Sequence, residues 1–281
     1  ANQVAFLDQS KSEKKLALVL LNLSGSEPAG TPVAAGSGLL VPLRNGQLVY
    51  ADPATGRALA SPFQPPLEAG DKVTWVEPAI AADAKSFIIA NSKQKIYRIN
   101  IGNSLEAALE ADLEQPLRGR LVPVGTWTVG VSGGAVSDTL RLFETDTLKI
   151  SKSTPLQGKV TWGPYLVDQR IWLHTETDGL CCFDESLTLI WQVPLNGTAL
   201  VDAPIVTPTG ALILAREGRI WKIEPAAGTL MGTISAGEPI TGTALLQDSS
   251  LLLGGEEGVI LRVDTNAVVN NAETTPGKEQ P

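Results

Sequence analysis

Histidine and cysteine are scarce in this sequence, which limits the chemistry that the chain can perform. Of 281 residues, one is histidine, His174, and two are cysteine. Zinc and non-haem iron sites usually draw on several of these residues, so a multi-histidine metal site is excluded. A Ser-His-Asp triad would have to use His174, which follows Ile171-Trp172-Leu173 on a predicted strand, and no nucleophile-elbow motif occurs. We therefore expect His174 to be a structural or surface residue and expect no metal site.

Positive charge and long apolar runs are also lacking. The chain has 22 basic and 30 acidic residues, a net charge of -8 and a pI near 4.8. Nucleic-acid backbones and anionic membrane surfaces select basic proteins, so we expect neither as a partner. The longest apolar run, residues 16–21, is far shorter than the roughly 20 residues of a membrane-spanning helix. We therefore expect no direct membrane insertion.

Short apolar runs separated by turns fill most of the sequence, which contains 27 glycines and 19 prolines. The clearest example is GALILAREGRIWKIEPAAGTL at residues 210–230. Residues 211–215 and 220–223 are predicted strands, and Glu217-Gly218 between them supplies the positive φ of a tight hairpin turn. Neither run alternates strictly between apolar and polar residues, which indicates that both faces of the sheet are covered.

The same unit recurs along the chain at intervals of about forty residues. One hairpin turn without glycine is predicted at Ser92-Lys93, and the motif KVTW occurs at residues 72–75 and 159–162. Residues 3–23 match the second half of a unit, so the chain opens within a repeat. The other turn glycines are Gly46, Gly134, Gly179, Gly218 and Gly258, and the residues predicted to follow the third strands are Asp8, Asp52, Asn100, Asp184, Glu224 and Asp264.

Six such units and a half unit predict an all-β fold, a β-propeller of four-stranded antiparallel blades. Seven blades are favoured, and a ring of six blades with an extra hairpin or of eight blades also fits. The opening strands would complete a blade beside the last unit, residues 241–270, and hide sheet edges. We predict one propeller domain over residues 1–270 and a disordered tail over residues 271–281, which have no apolar residue able to pack.

The repeat resembles the quinoprotein-type (PQQ-like) repeat. The resemblance is clearest in GRIWKIEPAAGTL, in GQLVYADPATGRAL and in the outer strand LTLIWQVPLNG, which carries Trp191. As a recurring pattern it covers roughly residues 3–270. This repeat occurs in quinone-dependent alcohol dehydrogenases and in non-enzymatic propellers similar to BamB, the lipoprotein of the bacterial outer-membrane barrel-assembly machinery. Because one fold serves both classes, the resemblance by itself does not choose between them.

Two features argue against the dehydrogenase class. The resemblance would imply a disulfide between adjacent cysteines beside a quinone, and Cys181-Cys182 are adjacent. They fall within the predicted strand GLCCFD, where neighbouring side chains point to opposite faces, whereas an adjacent disulfide needs a distorted turn. The family's enzymes are also longer and bind a metal through carboxylates and amides that we cannot place in this sequence. We therefore predict no catalytic residues and no cofactor, with a quinone- or sugar-processing enzyme domain as the alternative.

A partner-binding face is predicted from loop geometry. In a four-stranded blade, the loops that lead into the first strand lie at the same end as the central hairpin turns. Residues 65–75 and 158–162 are such loops, and their tryptophans could serve as aromatic anchors or could pack between blades. The predicted binding residues are Trp75, Trp162, Arg44, Lys93, Arg216, Glu217 and Glu256, with Asn45 and Glu257 at the same turns.

Charges of both signs around a few apolar residues suit a protein or peptide partner better than a polyanion. We predict a non-catalytic scaffold or protein-binding propeller, and the BamB-like resemblance implies an extracytoplasmic or periplasmic bacterial location and a role in envelope assembly. A ligand-sensing domain of a larger protein is a further alternative. If the two tryptophans are anchors, Trp75→Ala or Trp162→Ala should weaken partner binding more than it weakens the fold.

Overall fold

The computed structural model describes residues 3–7, 16–21, 23, 25–68, 70–195 and 198–266, with side chains from Val19 onward except Thr243. The predicted tail at residues 271–281 lies outside this part of the chain. The chain divides into two compact units, Ala1–Pro155 and Leu156–Pro281. In both units the described residues form antiparallel sheets whose strands follow one another in chain order, as the sequence predicts.

The described residues of the first unit form four sheets. Two isolated bridges, Leu48 to Phe63 and Ala51 to Ala58, extend the three-stranded sheet by a further segment. The strands are β1 (Gln3–Leu7) and β2 (Leu16–Leu20); β3 (Val33–Ala35), β4 (Gly38–Pro42) and β5 (Leu48–Ala51); β6 (Ala79–Ile80), β7 (Ser86–Ala90), β8 (Lys95–Ile101) and β9 (Leu105–Asp112); and β10 (Leu117–Val124), β11 (Trp127–Ser132), β12 (Thr139–Glu144) and β13 (Ile150–Pro155).

The described residues of the second unit form three sheets and a single 3₁₀ turn, Glu256–Gly258. The strands are β14 (Val160–Val167), β15 (Arg170–Thr175), β16 (Gly179–Phe183) and β17 (Leu189–Val193); β18 (Leu200–Thr207), β19 (Gly210–Ala215), β20 (Arg219–Ile223) and β21 (Leu230–Ser235); and β22 (Ile240–Gln247), β23 (Ser250–Gly255) and β24 (Ile260–Asp264).

The central strands are buried on both faces, which explains why their sequences do not alternate. Every residue of β19 is buried, and successive residues enter different cores. Ile213 packs in one cluster with Trp172, whereas Leu212 packs in another with Leu251 of β23. The sheet of β18–β21 therefore stacks between its two neighbours within the unit, and an apolar residue is favoured at every position of its middle strands.

Asp202 joins the first strands of the three sheets in the second unit. It lies in β18 at a register shift and has a φ of 56°. Its carbonyl oxygen accepts a hydrogen bond from Trp162 Nε1 of β14 at 2.6 Å, and its Oδ2 accepts one from the amide of Ala244 in β22 at 2.7 Å. One residue thereby satisfies polar groups on both neighbouring sheets.

The acidic residues after the third strands cap the turns that follow. Asp52 Oδ1 accepts from the Ala54 amide at 2.8 Å, and the Glu224 carboxylate accepts from the amide of Ala226 at 2.8 Å. A side chain that binds backbone amides two residues ahead fixes the turn and explains why Asp and Glu recur there. The assignment of Asn100 to this role is wrong, because β8 continues to Ile101 and Asn100 pairs with Glu106 inside the sheet.

The opening hairpin, β1 and β2, occupies the place of the last two strands of a forty-residue repeat, as its sequence predicts. A Cβ on Gly228 would lie 2.5 Å from the ring of Trp191, which is in the outer strand β17. The matching glycine of the DPATG turn, Gly56, lies against the backbone of Leu20 in β2. Matching the two repeats at their closing glycines, Gly25 and Gly197, aligns Val19 with Trp191. A Cβ on Gly56 would lie 3.1 Å from the Val19 side chain, so β2 packs against the following turn as β17 does.

One boundary differs from the prediction. The second KVTW motif was expected to precede a strand, but β14 begins at Val160 and includes Trp162. The strand continues through a register shift between Trp162 and Tyr165, where Gly163 adopts a φ of 85°. The bulge lets a long first strand stay paired across a bend, so the motif lies in the sheet and not in the preceding loop.

Candidate partner-binding surface

One hydrogen bond recurs where the central hairpin of a sheet turns. A backbone amide at the turn donates to a backbone carbonyl of the loop that leads into the first strand, which fastens the loop to the turn. The pairs are Arg44 to Glu27 (2.9 Å), Ser92 to Thr74 (2.9 Å), Gly133 to Pro116 (3.0 Å), Glu176 to Lys159 (2.9 Å) and Arg216 to Ala199 (2.8 Å). The predicted proximity of these loops and turns is therefore present in each of these five sheets.

In the first unit, the loop of residues 64–75 joins two hairpin turns. At one end, Gln64 Nε2 donates to the carbonyl of Asn45 at 3.5 Å. At the other, the Thr74 amide donates to Ser92 Oγ at 3.1 Å, and Lys93 Nζ pairs with Asp71 at 2.5 Å. The structure thus brings the predicted residues Arg44, Asn45 and Lys93 to the two sides of one predicted loop.

A cleft of about 420 Å³ lies on one side of this loop. Its apolar lining residues are Pro28, Ala29 and Val73, and Val73 is buried. Two cationic side chains, Arg44 and Lys72, stand in its lining and are exposed. We call it the Arg44–Lys72 cleft, and its lining residues are Pro28, Ala29, Arg44, Lys72, Val73 and Thr74.

A second cleft, of about 590 Å³, lies on the other side of the loop and is rich in paired charges. The Lys95 ammonium contacts Glu110 at 2.9 Å and Asp112 at 2.7 Å, and these carboxylates raise the pKa of Lys95. The hydrogen bond from Lys93 lowers the pKa of Asp71. We call it the Lys93–Lys95 cleft, and it is lined by Pro66, Leu67, Glu68, Asp71, Asn91, Lys93, Lys95, Tyr97 and Glu110.

Trp75 and Trp162 are both buried, with 7% of each residue exposed. Trp75 packs against Tyr97 with ring centroids 6.0 Å apart, and its Nε1 has no hydrogen-bond partner among the described residues. Trp162 packs against Tyr165 at 4.6 Å and donates its Nε1 hydrogen to Asp202. Rings in these positions are inaccessible to a partner in the folded state, so their burial favours the packing alternative over the anchor hypothesis.

The remaining predicted residues belong to the second unit. Arg216 and Glu217 form the turn between β19 and β20, where both are exposed. The amide of Ile240 donates to the carbonyl of Arg216 at 2.8 Å, so the loop before β22 is fastened there as well. Glu256 and Glu257 are exposed in the 3₁₀ turn between β23 and β24, and Glu257 has a φ of 55°.

Sequence reasoning missed the second cation of the Arg44–Lys72 cleft and the paired charges of the Lys93–Lys95 cleft. Lys72 is the first residue of the KVTW motif, and Asp71 precedes it. Both lie inside the predicted loop, so their charge is a signal that the sequence itself carries. Lys95 and Glu110 could not be paired from sequence, because only the register of β8 on β9 brings them to the same cleft.

Comparison with known proteins identifies the fold. No family model and no curated protein matches this chain. Among solved structures, BamB from Moraxella catarrhalis superposes with a TM-score of 0.59 at 15% identity, covering 88% of this chain and 74% of that one. The fold is a β-propeller. The computationally designed protein Ika8 is also similar, with a TM-score of 0.63 at 12% identity over 83% of this chain and 70% of that one.

Both ring nitrogens of His174 are engaged inside the propeller. Its Nε2 lies 2.9 Å from the carbonyl oxygen of Leu195, and a carbonyl can only accept, so Nε2 carries the hydrogen. In the neutral imidazole, Nδ1 then accepts from the Thr161 hydroxyl at 2.6 Å. Burial lowers the pKa of His174, and the bond to Leu195 opposes this only in part. The imidazole has a structural role, as the sequence predicts.

This arrangement predicts a pH dependence of stability. As the pH falls below about 6.5, the unfolded chain binds a proton that folded His174 resists, so the free energy of unfolding should decrease. Urea unfolding at about pH 8 and about pH 5.5 measures this decrease in the free energy of unfolding. The decrease should be smaller in His174→Gln than in wild type. Asp52, Asp71 and Glu224 have pKa values lowered by hydrogen bonds, so their contribution is lost only in a more acidic range. An unchanged pH dependence in the variant would contradict the assignment.

Cys181 and Cys182 are free thiols buried in β16. Burial raises the pKa of each thiol to about 12. Cys182 packs in the same apolar cluster as Trp172 and Trp191. A thiol with so high a pKa is a poor nucleophile near neutral pH, and both cysteines serve here as small apolar residues.

Two further findings concern metals and membranes. Over the part of the chain that the structure describes, no group of three or more histidine, cysteine, aspartate or glutamate side chains is placed to hold a metal ion. No helix among those residues is long and apolar enough to cross a bilayer.

Proposed function

We propose that this chain is a non-catalytic, protein-binding propeller and that a protein or peptide partner contacts the loop of residues 64–75 together with the turns at Arg44-Asn45 and Ser92-Lys93. The observation that carries the proposal is the pair of clefts on the two sides of this loop. Rigid propeller sheets hold the loop through backbone hydrogen bonds, and loops fixed on a rigid scaffold are common binding surfaces. Nucleic acid and membrane insertion are not part of the proposal.

Side-chain chemistry supports a binding role over catalysis. The one histidine has both ring nitrogens engaged inside the fold, and both thiols are buried. In the Lys93–Lys95 cleft, each ammonium is already paired with a carboxylate, so neither lysine is set up as a base or a nucleophile. Exposed, paired charges around apolar walls are instead typical of the polar rim of a protein interface.

We further propose an extracytoplasmic or periplasmic location in bacteria, with a role in envelope assembly. The support is the resemblance of the repeats to BamB-like propellers together with the fold likeness to BamB from Moraxella catarrhalis. Fractionation of the native cells tests the location. Recovery of the protein in the cytoplasmic fraction alone would contradict it.

Charge reversal tests the proposed surface. Partners are captured from the native source with the purified chain, identified by mass spectrometry, purified, and titrated against wild type and Lys93→Glu. Lys93 pairs with Asp71 on the surface, so reversal should leave the fold intact while it weakens partner affinity about fivefold or more. The matched control is Lys85→Glu, in the exposed turn between β6 and β7 at the opposite end of the same sheet. Equal affinities of wild type and Lys93→Glu, or a loss with Lys85→Glu instead, would overturn the assignment.

A further inference from the structure

The Arg44–Lys72 cleft combines apolar walls with two exposed cations. Pro28 and Ala29, both partly exposed, supply the accessible apolar surface. No acidic residue is among the lining residues, although the whole chain carries a net charge of -8. A local positive site on an acidic protein selects for ligands of opposite charge.

The walls of the cleft are fixed before any ligand arrives. The Ala29 amide donates to the carbonyl of Pro42 at 2.8 Å, which ties one wall to the end of β4. The opposite wall is tied to the neighbouring hairpin by the reciprocal bonds between Thr74 and Ser92. A preformed cleft spares the ligand the cost of ordering its walls, so a short segment can bind there.

The cations remain available to a ligand. Arg44 contacts Glu27 through Nε at 3.2 Å, and both side chains are highly exposed, so this pair is weak. The pair leaves the two terminal amino groups of the guanidinium as donors. Lys72 is exposed and takes part in no ion pair among the described side chains.

We propose that the Arg44–Lys72 cleft binds an acidic peptide segment of a protein partner, in which an aspartate or glutamate stands next to an apolar residue. The carboxylate lies between the Arg44 guanidinium and the Lys72 ammonium, and the apolar side chain packs against Pro28 and Ala29. Two cations match one carboxylate and are too few for a nucleic-acid backbone. The inference rests on the proposed function, because it names the chemistry of the partner at the same surface.

Peptide probes test this without a known partner. The probes are acetyl-Leu-Asp-Leu amide, its neutral counterpart acetyl-Leu-Asn-Leu amide, and acetyl-Gly-Asp-Gly amide, which keeps the charge and lacks the apolar groups. Each is titrated into the ¹⁵N-labelled whole chain, and the amide shifts are followed by NMR. The aspartate-leucine probe should give saturable shifts at Arg44, Lys72 and Val73 with a Kd on the order of 1 mM. The other two probes should bind about fivefold more weakly.

Variants locate the site. Arg44→Ala and Lys72→Ala should each weaken binding of the aspartate-leucine probe about two- to fivefold, and Lys85→Ala should leave it unchanged. Equal binding of the aspartate and asparagine probes, saturable shifts elsewhere, or no saturable shift at about 10 mM would overturn the inference. The probe comparison decides even if a variant fails to fold. If a partner's affinity depends on Lys93 but the aspartate probe does not bind, this inference is refuted and the proposed function stands. If the partner's affinity does not depend on Lys93, the proposed function is refuted, whatever the probes show.

Discussion

Replacing Trp162 with alanine is expected to lower the free energy of unfolding by about 3–5 kcal/mol, the usual cost of truncating a buried aromatic residue. The ring is 7% exposed, lies in the apolar cluster with Trp172 and packs against Tyr165. Its Nε1 also donates to the carbonyl of Asp202, the residue that joins three first strands. Urea unfolding of the purified variant measures the change.

Trp162→Phe is the control for this prediction. Phenylalanine retains most of the ring but cannot donate to Asp202. The free energy of unfolding should therefore fall by only about 1–2 kcal/mol, the cost of one unsatisfied acceptor and a smaller ring. A Trp162→Ala variant as stable as wild type, with reduced affinity for an identified partner, would restore the anchor hypothesis. The structure predicts the opposite order, with a large loss of stability and an unchanged affinity per folded molecule.

Gly228→Ala is expected to destabilise the second unit by about 3 kcal/mol or more, from backbone strain and overpacking together. Gly228 has a φ of 72°, and a Cβ there would lie 2.5 Å from the ring of Trp191. That ring cannot easily retreat, because it packs against Trp172 at 4.8 Å and its Nε1 donates to the carbonyl of Pro225 at 3.0 Å. Thermal and urea unfolding measure the effect.

Gly237→Ala separates the two causes. Gly237 has a φ of 83°, and nothing lies within 4 Å of the position that a Cβ would occupy. The free energy of unfolding of Gly237→Ala should therefore fall by only about 1 kcal/mol, the cost of placing an alanine at a positive φ. If Gly228→Ala costs no more than Gly237→Ala, the contact between the EPAAG turn and Trp191 does not constrain the fold.

The candidate surface was predictable in part. Loop geometry correctly placed Arg44, Asn45 and Lys93 beside residues 65–75, because the loop into a first strand and the central hairpin turn must lie at the same end of an antiparallel meander. The combination of charged side chains within each cleft was not predictable. Lys95 meets Glu110 only through cross-strand register, and Arg44 meets Lys72 only because successive sheets stack.

The sequence by itself determined the architecture of this protein. Turn glycines, capping acids such as Asp52 and Glu224, and apolar runs at a steady period act over a few residues, so they specify antiparallel sheets in chain order without long-range information. Tertiary structure alone decided the roles of the tryptophans. A ring near a loop can face solvent or a neighbouring sheet, and that choice depends on the atoms that the next repeat presents. For Trp162 the next repeat presents the carbonyl of Asp202, forty residues away, and this acceptor, together with Tyr165 of the same strand, makes the ring part of the core.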